Sequence, residues 1–374
     1  MMKYQYFFKP LNHTKTASPP IKGWILVFVV NRLQVGYTVL LLPTQLVRGD
    51  HYWIIILAFI ISQINMYLIS KWLNPSNHSE SIKLKSLLPK PILYPLVLIG
   101  IPMLLIKFSV IIIGYTKIIQ IYLLPEQRQY IILIVLLAVI AYLTSKGVHQ
   151  ITKFSFFAFL FSGWIVFAYI QFFFSPNVSF RELFPLIGDF NADKDLHSIL
   201  YVLSAFSGPE LLLFMKNRIK DDGKIYKYLT IGNTVTFIEY SLLFILAVLF
   251  YGSDYLNKVE YPLVTMARYI HTPFIDRLEM FIIPFFSFPL IFSLSLVNFY
   301  IFKGMQYSLR LKENNITFFS FLVFIACIIL FVQSNYWVES FQERVWISCY
   351  IYITAIAYLL LPLGFFIIKR MKKS

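Results

Sequence analysis

Ten runs of about twenty apolar residues, separated by short loops rich in lysine, leave this chain one environment in which to fold. A run of that length covers ~30 Å of hydrocarbon at ~1.5 Å of rise per helical residue. In lipid every backbone amide has to find its partner inside the protein, so only helices or closed barrels can span. The runs fall at about 23–46, 51–72, 94–123, 130–146, 154–174, 197–216, 228–250, 278–303, 316–334 and 346–368. They lack the period-two alternation that a membrane β-barrel strand needs. Charged residues make up 14% of the 374 positions, against ~25% in soluble domains. The expected fold class is an all-α polytopic membrane protein of about ten transmembrane helices, with 23–369 as a single membrane domain.

The net charge of +15 raises the question of nucleic acid. Lys and Arg are spread over short loops, however, and no soluble basic domain exists to hold a strand, so no nucleic-acid partner is expected. The positive residues set orientation instead. With the N-terminus inside, the inner segments hold 22 of the 33 Lys and Arg residues and the outer loops hold 8. That bias makes the tails 1–22 and 370–374 cytoplasmic. Cys327 and Cys349 lie in or beside apolar runs, and the six His are scattered singly. Without a metal-ligand spacing, a phosphate-binding loop or a nucleophile elbow, no enzyme activity, catalytic residue, metal or cofactor is expected.

Two of the runs are interrupted at mid-depth. The first contains Asn31-Arg32-Leu33-Gln34-Val35-Gly36-Tyr37-Thr38, and the sixth contains Ser207-Gly208-Pro209-Glu210. Gly lowers helix propensity, and Pro removes a backbone donor while disfavouring the α region for the residue before it. Both helices should break there. The breaks occupy corresponding places in two halves, about 23–174 and 197–368. Each half has five spans, so the second enters from the opposite side and the repeat is inverted, the topology of the LeuT-like transporters. Unwound backbone can offer amides and carbonyls to a small solute; at Gly36 the amides of Tyr37 and Thr38 could hold a carboxylate. A kink that only lets helices pack closely is the competing explanation. Pro102 in the third run and Pro284 and Pro289 in the eighth predict kinked or tilted helices. The long outer loops 175–196 and 251–277 could form short helices over the site or plain connections.

Arg32, Lys107, Lys117, Glu210, Glu239 and Glu279 fall inside the runs, where an unpaired charge costs ~2.5–3.5 kcal/mol on insertion scales. Each must face a partner or water. Lys117 and Glu279 lie near run ends and can snorkel. Arg32, Lys107, Glu210 and Glu239 remain as an intramembrane charge network. Either Arg32 or Lys107 could supply the fixed positive charge that a cotransported sodium ion or proton would otherwise bring. Glu210 sits in the first turn after the break, where the helix dipole stabilises an acid. Glu239, near Asn233, Thr234 and Thr236, suits a polar relay. Buried ion pairs that only fix helix packing account for these charges equally well.

Several of these stretches resemble a known family. Gln34-Val35-Gly36-Tyr37-Thr38-Val39-Leu40-Leu41-Leu42-Pro43 resembles the first-span motif of the spore germination permeases, the B subunits of GerA-type nutrient-germinant receptors. So do Ser207-Gly208-Pro209-Glu210-Leu211-Leu212-Leu213-Phe214 followed by a basic loop, Tyr261-Pro262 before the eighth run, and Asp276-Arg277-Leu278-Glu279 opening it. Their order and spacing carry the resemblance over nearly the whole chain. It implies a LeuT-like fold of the amino acid, polyamine and organocation superfamily and residence in the inner membrane of a bacterial endospore. It also implies an A subunit and a lipoprotein C subunit as partners, and a small nutrient such as an amino acid as ligand. Carried over by position, the pocket draws on Gly36 and Thr38 with Tyr37 between them, Met103 and Lys107, Phe206, Ser207 and Gly208, and Ser293. Two departures stand out. The family usually has Gly-x-Gly where this chain has Gly36-Tyr37-Thr38, which narrows access to the backbone, and Lys107 stands where a neutral or apolar residue is expected. A cation-coupled or amino-acid symporter of the same fold, and a structural subunit with a vestigial pocket, are the alternatives.

Overall fold

The computed structural model describes residues 20–46, 51–73, 90–174, 178–184, 192–220, 223–256, 258–270, 278–311, 315–336 and 340–371. Helix covers each apolar run. The first forms Ile25–Gln34 and Tyr37–Leu46, the second Tyr52–Leu73, the third Lys90–Tyr122 and the fourth Gln129–Ser145. The fifth forms Val148–Ser162 and Ile165–Tyr169, closed by a 3₁₀ turn at Ile170–Phe174. The sixth divides into Ala192–Ala205 and a 3₁₀ helix, Pro209–Arg218. Ile225–Leu256, Glu279–Ser308, Asn315–Tyr336 and Ser340–Met371 are the seventh to tenth. Six of these helices are by themselves long and apolar enough to cross a membrane; the first and sixth segments pass that test as pairs bent by 49° and 42°. The fourth and ninth supply shorter apolar helices. This is an all-helical, multi-pass membrane protein with broken first and sixth helices.

Packing repeats with a shift of five segments. The first segment lies on the fifth and seventh as the sixth lies on the tenth and second. The third and eighth pack on each other, and so do the second and seventh. A pseudo-two-fold exchange of the halves accounts for all of these pairings, which is the packing signature of an inverted repeat. Small residues set the closest approaches: a Cβ added at Gly232 of the seventh segment would stand 2.6 Å from the Val27 carbonyl oxygen and 3.0 Å from Val30 Cβ. Van der Waals contact of this kind, rather than hydrophobic exclusion, is what holds helices together in lipid.

The two ends of the bundle are tied differently. At one end the loop before the eighth segment forms a short helix, Pro262–Ala267, whose side chains Leu263, Val264 and Met266 are buried. The Tyr169 hydroxyl donates to the Leu263 carbonyl at 2.6 Å and the Thr44 hydroxyl to that of Val259 at 3.2 Å. A second short turn, Phe180–Leu183, packs on the seventh segment. At the other end, residues just before the first helix pair in parallel with those after the sixth. Ile21 N–H donates to Arg218 O at 2.7 Å and Lys220 N–H to Ile21 O at 2.8 Å. Asp276 and Arg277 of the family motif, most of the two tails, and residues 185–191 of the first long loop lie outside the described residues.

Candidate functional site

The first break is made by two residues. Val35 is extended, with φ −79° and ψ 102°, and its N–H closes the helix on the Asn31 carbonyl at 2.8 Å. Gly36 follows, and a new helix starts at Tyr37. Carbonyls at such a break lose their helical partners and need others at this depth. Tyr240 supplies one, donating to Gln34 O at 2.7 Å, and the Tyr201 hydroxyl donates to Thr38 O in the first turn of the new helix at 2.8 Å.

The second break turns on Gly208, at φ 129° and ψ −44°, followed by Pro209 in the first position of the 3₁₀ helix. That backbone conformation excludes a β-carbon at little cost only in glycine. The Tyr240 oxygen also lies 3.0 Å from Ala205 O, so its single proton is shared between a carbonyl of each break. Gln34 Nε2 donates to Phe206 O at 2.9 Å and to Asn233 Oδ1 at 2.8 Å. The two breaks also touch directly, because a β-carbon at Gly208 would lie 2.9 Å from Leu33 Cβ and 3.0 Å from Leu33 O.

Four of the buried charges form two pairs. Arg32 Nη2 donates to Glu239 Oε1 at 2.5 Å, Nη1 to Ser162 Oγ at 2.6 Å and Nε to Asn31 Oδ1 at 2.8 Å. Asn31 Nδ2 reaches the other carboxylate oxygen, Glu239 Oε2, and Thr236 Oγ1, both at 3.1 Å. This cluster joins the first, fifth and seventh segments with its polar atoms well supplied. Lys107, from the third segment, donates to Ser207 Oγ at 3.0 Å and lies 3.8 Å from Glu210 Oε1. The other oxygen of Glu210 accepts the Gly208 N–H at 2.5 Å. Lys107 and Glu210 are 5% and 6% exposed, so the pair stands in a low-dielectric setting where each charge needs the other.

Of the residues singled out from the sequence, Lys107, Ser207, Gly208 and Glu210 come together at the second break, with Phe206 beside them edge-on to the Tyr240 ring at 5.1 Å. Gly36 lies at the first break with open space beside it, since a β-carbon there would meet no atom within 4 Å. Tyr37 is buried with its ring against Gly114 of the third segment, and Thr38 is buried behind it. Arg32 and Glu239 form their own pair, away from Lys107. Met103, half-buried, and Ser293, buried on the eighth helix, take no part in the hydrogen bonds described above. Lys117 pairs with Glu260 at 2.9 Å, and Glu279 is buried in the first turn of the eighth helix, which corrects the expectation that it snorkels to the surface.

Sequence reasoning passed over Tyr240, Tyr201, Ser162, Ser62 and Tyr358. Ser62 Oγ donates to Asn233 Oδ1 at 2.7 Å and shares a 2.6 Å hydrogen bond with the Tyr358 hydroxyl, extending the polar layer to the second and tenth segments. The signal was present: Ser62-Gln63-Ile64-Asn65 is a polar cluster inside an apolar run.

A family model described as spore germination protein matches residues 21–337. A curated relative, spore germination protein GerQB of Bacillus cereus, is 24% identical over 307 residues, which cover 79% of this chain and 82% of that protein. Among solved structures, two variants of the Eremococcus coleocola manganese transporter superpose with TM-scores of 0.52 and 0.51 at 13% and 12% identity. Both alignments cover 92% of this chain and 76% of the transporter. Those matches show a shared LeuT-like fold.

Proposed function

We propose that this chain, which belongs to the spore germination protein family, is the nutrient-binding membrane subunit of a spore germinant receptor. The family is one of membrane permeases and not of enzymes. In this reading a small nutrient binds at mid-membrane between the two breaks. The single observation that carries it is the meeting of the breaks themselves: Leu33 abuts Gly208, Gln34 donates across to Phe206 O, and the Tyr240 hydroxyl lies against a carbonyl of each break. A solute that wedges beside Gly36 would press on both broken helices at once, and only by binding one arrangement of them better than the other could it shift their equilibrium. An A subunit and a lipoprotein C subunit would read that shift, in the inner membrane of the endospore, with both termini of this chain cytoplasmic. The likeness to B. cereus GerQB supports the B-subunit role.

Gly36→Leu tests it. A β-carbon there meets nothing within 4 Å, so the variant subunit should accumulate to normal levels by immunoblot while spores lose or shift their nutrient-triggered germination. An unchanged response at normal levels would move the sensing site elsewhere.

A further inference from the structure

The second, sixth and tenth segments finish together at the end of the bundle where Ile21 pairs with Arg218, and each brings a lysine there. Lys71 lies in the last turn of Tyr52–Leu73, Lys216 near the end of the 3₁₀ helix Pro209–Arg218 and Lys369 in the last turn of Ser340–Met371. They gather around the end of the second helix. The Lys216 ammonium stands over the ring of buried Trp72 at 4.9 Å, the Lys369 ammonium donates to the Lys71 carbonyl, and the Lys71 ammonium stands over the Tyr67 ring at 5.1 Å. Rings and a carbonyl orient these cations without cancelling their charge. Among the described residues neither Lys71 nor half-buried Lys216 forms an ion pair. A cation drawn partly out of water at the edge of hydrocarbon is stabilised strongly by an anion. Exposed Tyr67 and Tyr226, edge-on at 5.8 Å, mark the depth of the membrane interface beside them, where lipid phosphate is the anion at hand.

We propose that Lys71, Lys216 and Lys369 form a site for a phosphate-bearing anion, supplied by the headgroup of an anionic phospholipid. Basic pockets between membrane helices hold such headgroups. Trp72 Nε1 donates to Leu213 O at 2.9 Å while its ring carries Lys216, so the second helix already grips the 3₁₀ half of the sixth segment at two points. A headgroup bridging Lys71 and Lys216 adds a third, and clamps the half-helix that follows the Gly208 break. The site draws on none of the residues at the breaks, so it holds whether or not the nutrient binds there.

The test uses the purified full chain in neutral detergent, with thermal unfolding followed as phosphatidylglycerol, phosphatidylcholine or inorganic phosphate is added at constant ionic strength. Phosphatidylglycerol should raise the midpoint saturably, by roughly 2 °C at about ten times its apparent Kd, and the other two should not. Lys71→Gln/Lys216→Gln should lose most of that gain. Lys146→Gln/Lys153→Gln, which removes the same charge from two exposed lysines, should keep it. Equal gains from phosphatidylglycerol and phosphatidylcholine in wild type overturn the site, whether or not the variants fold, and are what lysines that only cap the second helix would give. A gain from inorganic phosphate that matches the lipid's would assign the site to a free anion and overturn the lipid source. Equal losses in the two double variants would reduce the effect to overall charge and refute the site.

Discussion

Alanine at Gly208 and alanine at Gly36 should have opposite effects, although both glycines mark breaks in membrane helices. At Gly208 the backbone sits at φ 129° and ψ −44°, a region that costs a side-chain-bearing residue ~1–3 kcal/mol. The new β-carbon would lie 2.9 Å from Leu33 Cβ and 3.0 Å from Leu33 O, well inside the ~3.5–4.0 Å of good carbon contact. Leu33 O belongs to the backbone and cannot swing aside, so the first segment must retreat from the sixth, an overpacking cost of ~1–3 kcal/mol. Together the two effects destabilise by about 2–6 kcal/mol, a fall of roughly 3–8 °C in midpoint for a chain of this length. At Gly36 a β-carbon meets nothing within 4 Å and the backbone is not left-handed. Alanine there should be neutral or stabilise by ~0.4–1 kcal/mol through the unfolded chain. The assay is thermal or denaturant unfolding of the two purified variants beside wild type. Equal effects, or a Gly36 variant less stable than the Gly208 one, would refute the interlocking of the breaks.

Three further outcomes can be checked by the same unfolding measurements. Arg32→Met should destabilise by about 3–5 kcal/mol because it strands Glu239, whereas Arg32→Met/Glu239→Leu should cost less than the single change; a double variant as unstable as the sum of the singles would show no pairing. Tyr240→Phe removes the one proton that Gln34 O and Ala205 O share and should cost about 1–3 kcal/mol, more than Tyr→Phe at exposed Tyr142 in a direct comparison. Trp72→Phe loses the 2.9 Å bond from Nε1 to Leu213 O, which caps a carbonyl of the 3₁₀ helix, and should lower stability by about 1 kcal/mol with the fold intact by circular dichroism.

Much of the fold was legible because its causes are local. Hydrocarbon demands helices of a set length with internally bonded backbones, so ten apolar runs meant helices wherever they occurred. Gly36 and Gly208-Pro209 break helices through their own chemistry, and both breaks stand where those residues are. Even so, the second half of the sixth segment is a 3₁₀ helix rather than the α-helix expected, with Leu213 O drawn off to Trp72.

Which charge meets which was beyond sequence, and the reason is geometric. Arg32 and Glu239 are 207 residues apart, and their 2.5 Å bond depends on how closely the first and seventh helices approach at Gly232 and on the fifth presenting Ser162. Lys107 sat in the third run with any buried acid as a candidate; only the packing of that helix against the second break assigns it Glu210. Lys117, expected to snorkel, reaches exposed Glu260, while Glu279 is enclosed. Tyr240 gave no local sign that its hydroxyl would lie between carbonyls of both breaks. The sequence by itself determined where helices run and where they break, since residues act on their own backbone; the tertiary structure decided the partners, since those depend on crossing geometry summed over helices hundreds of residues apart.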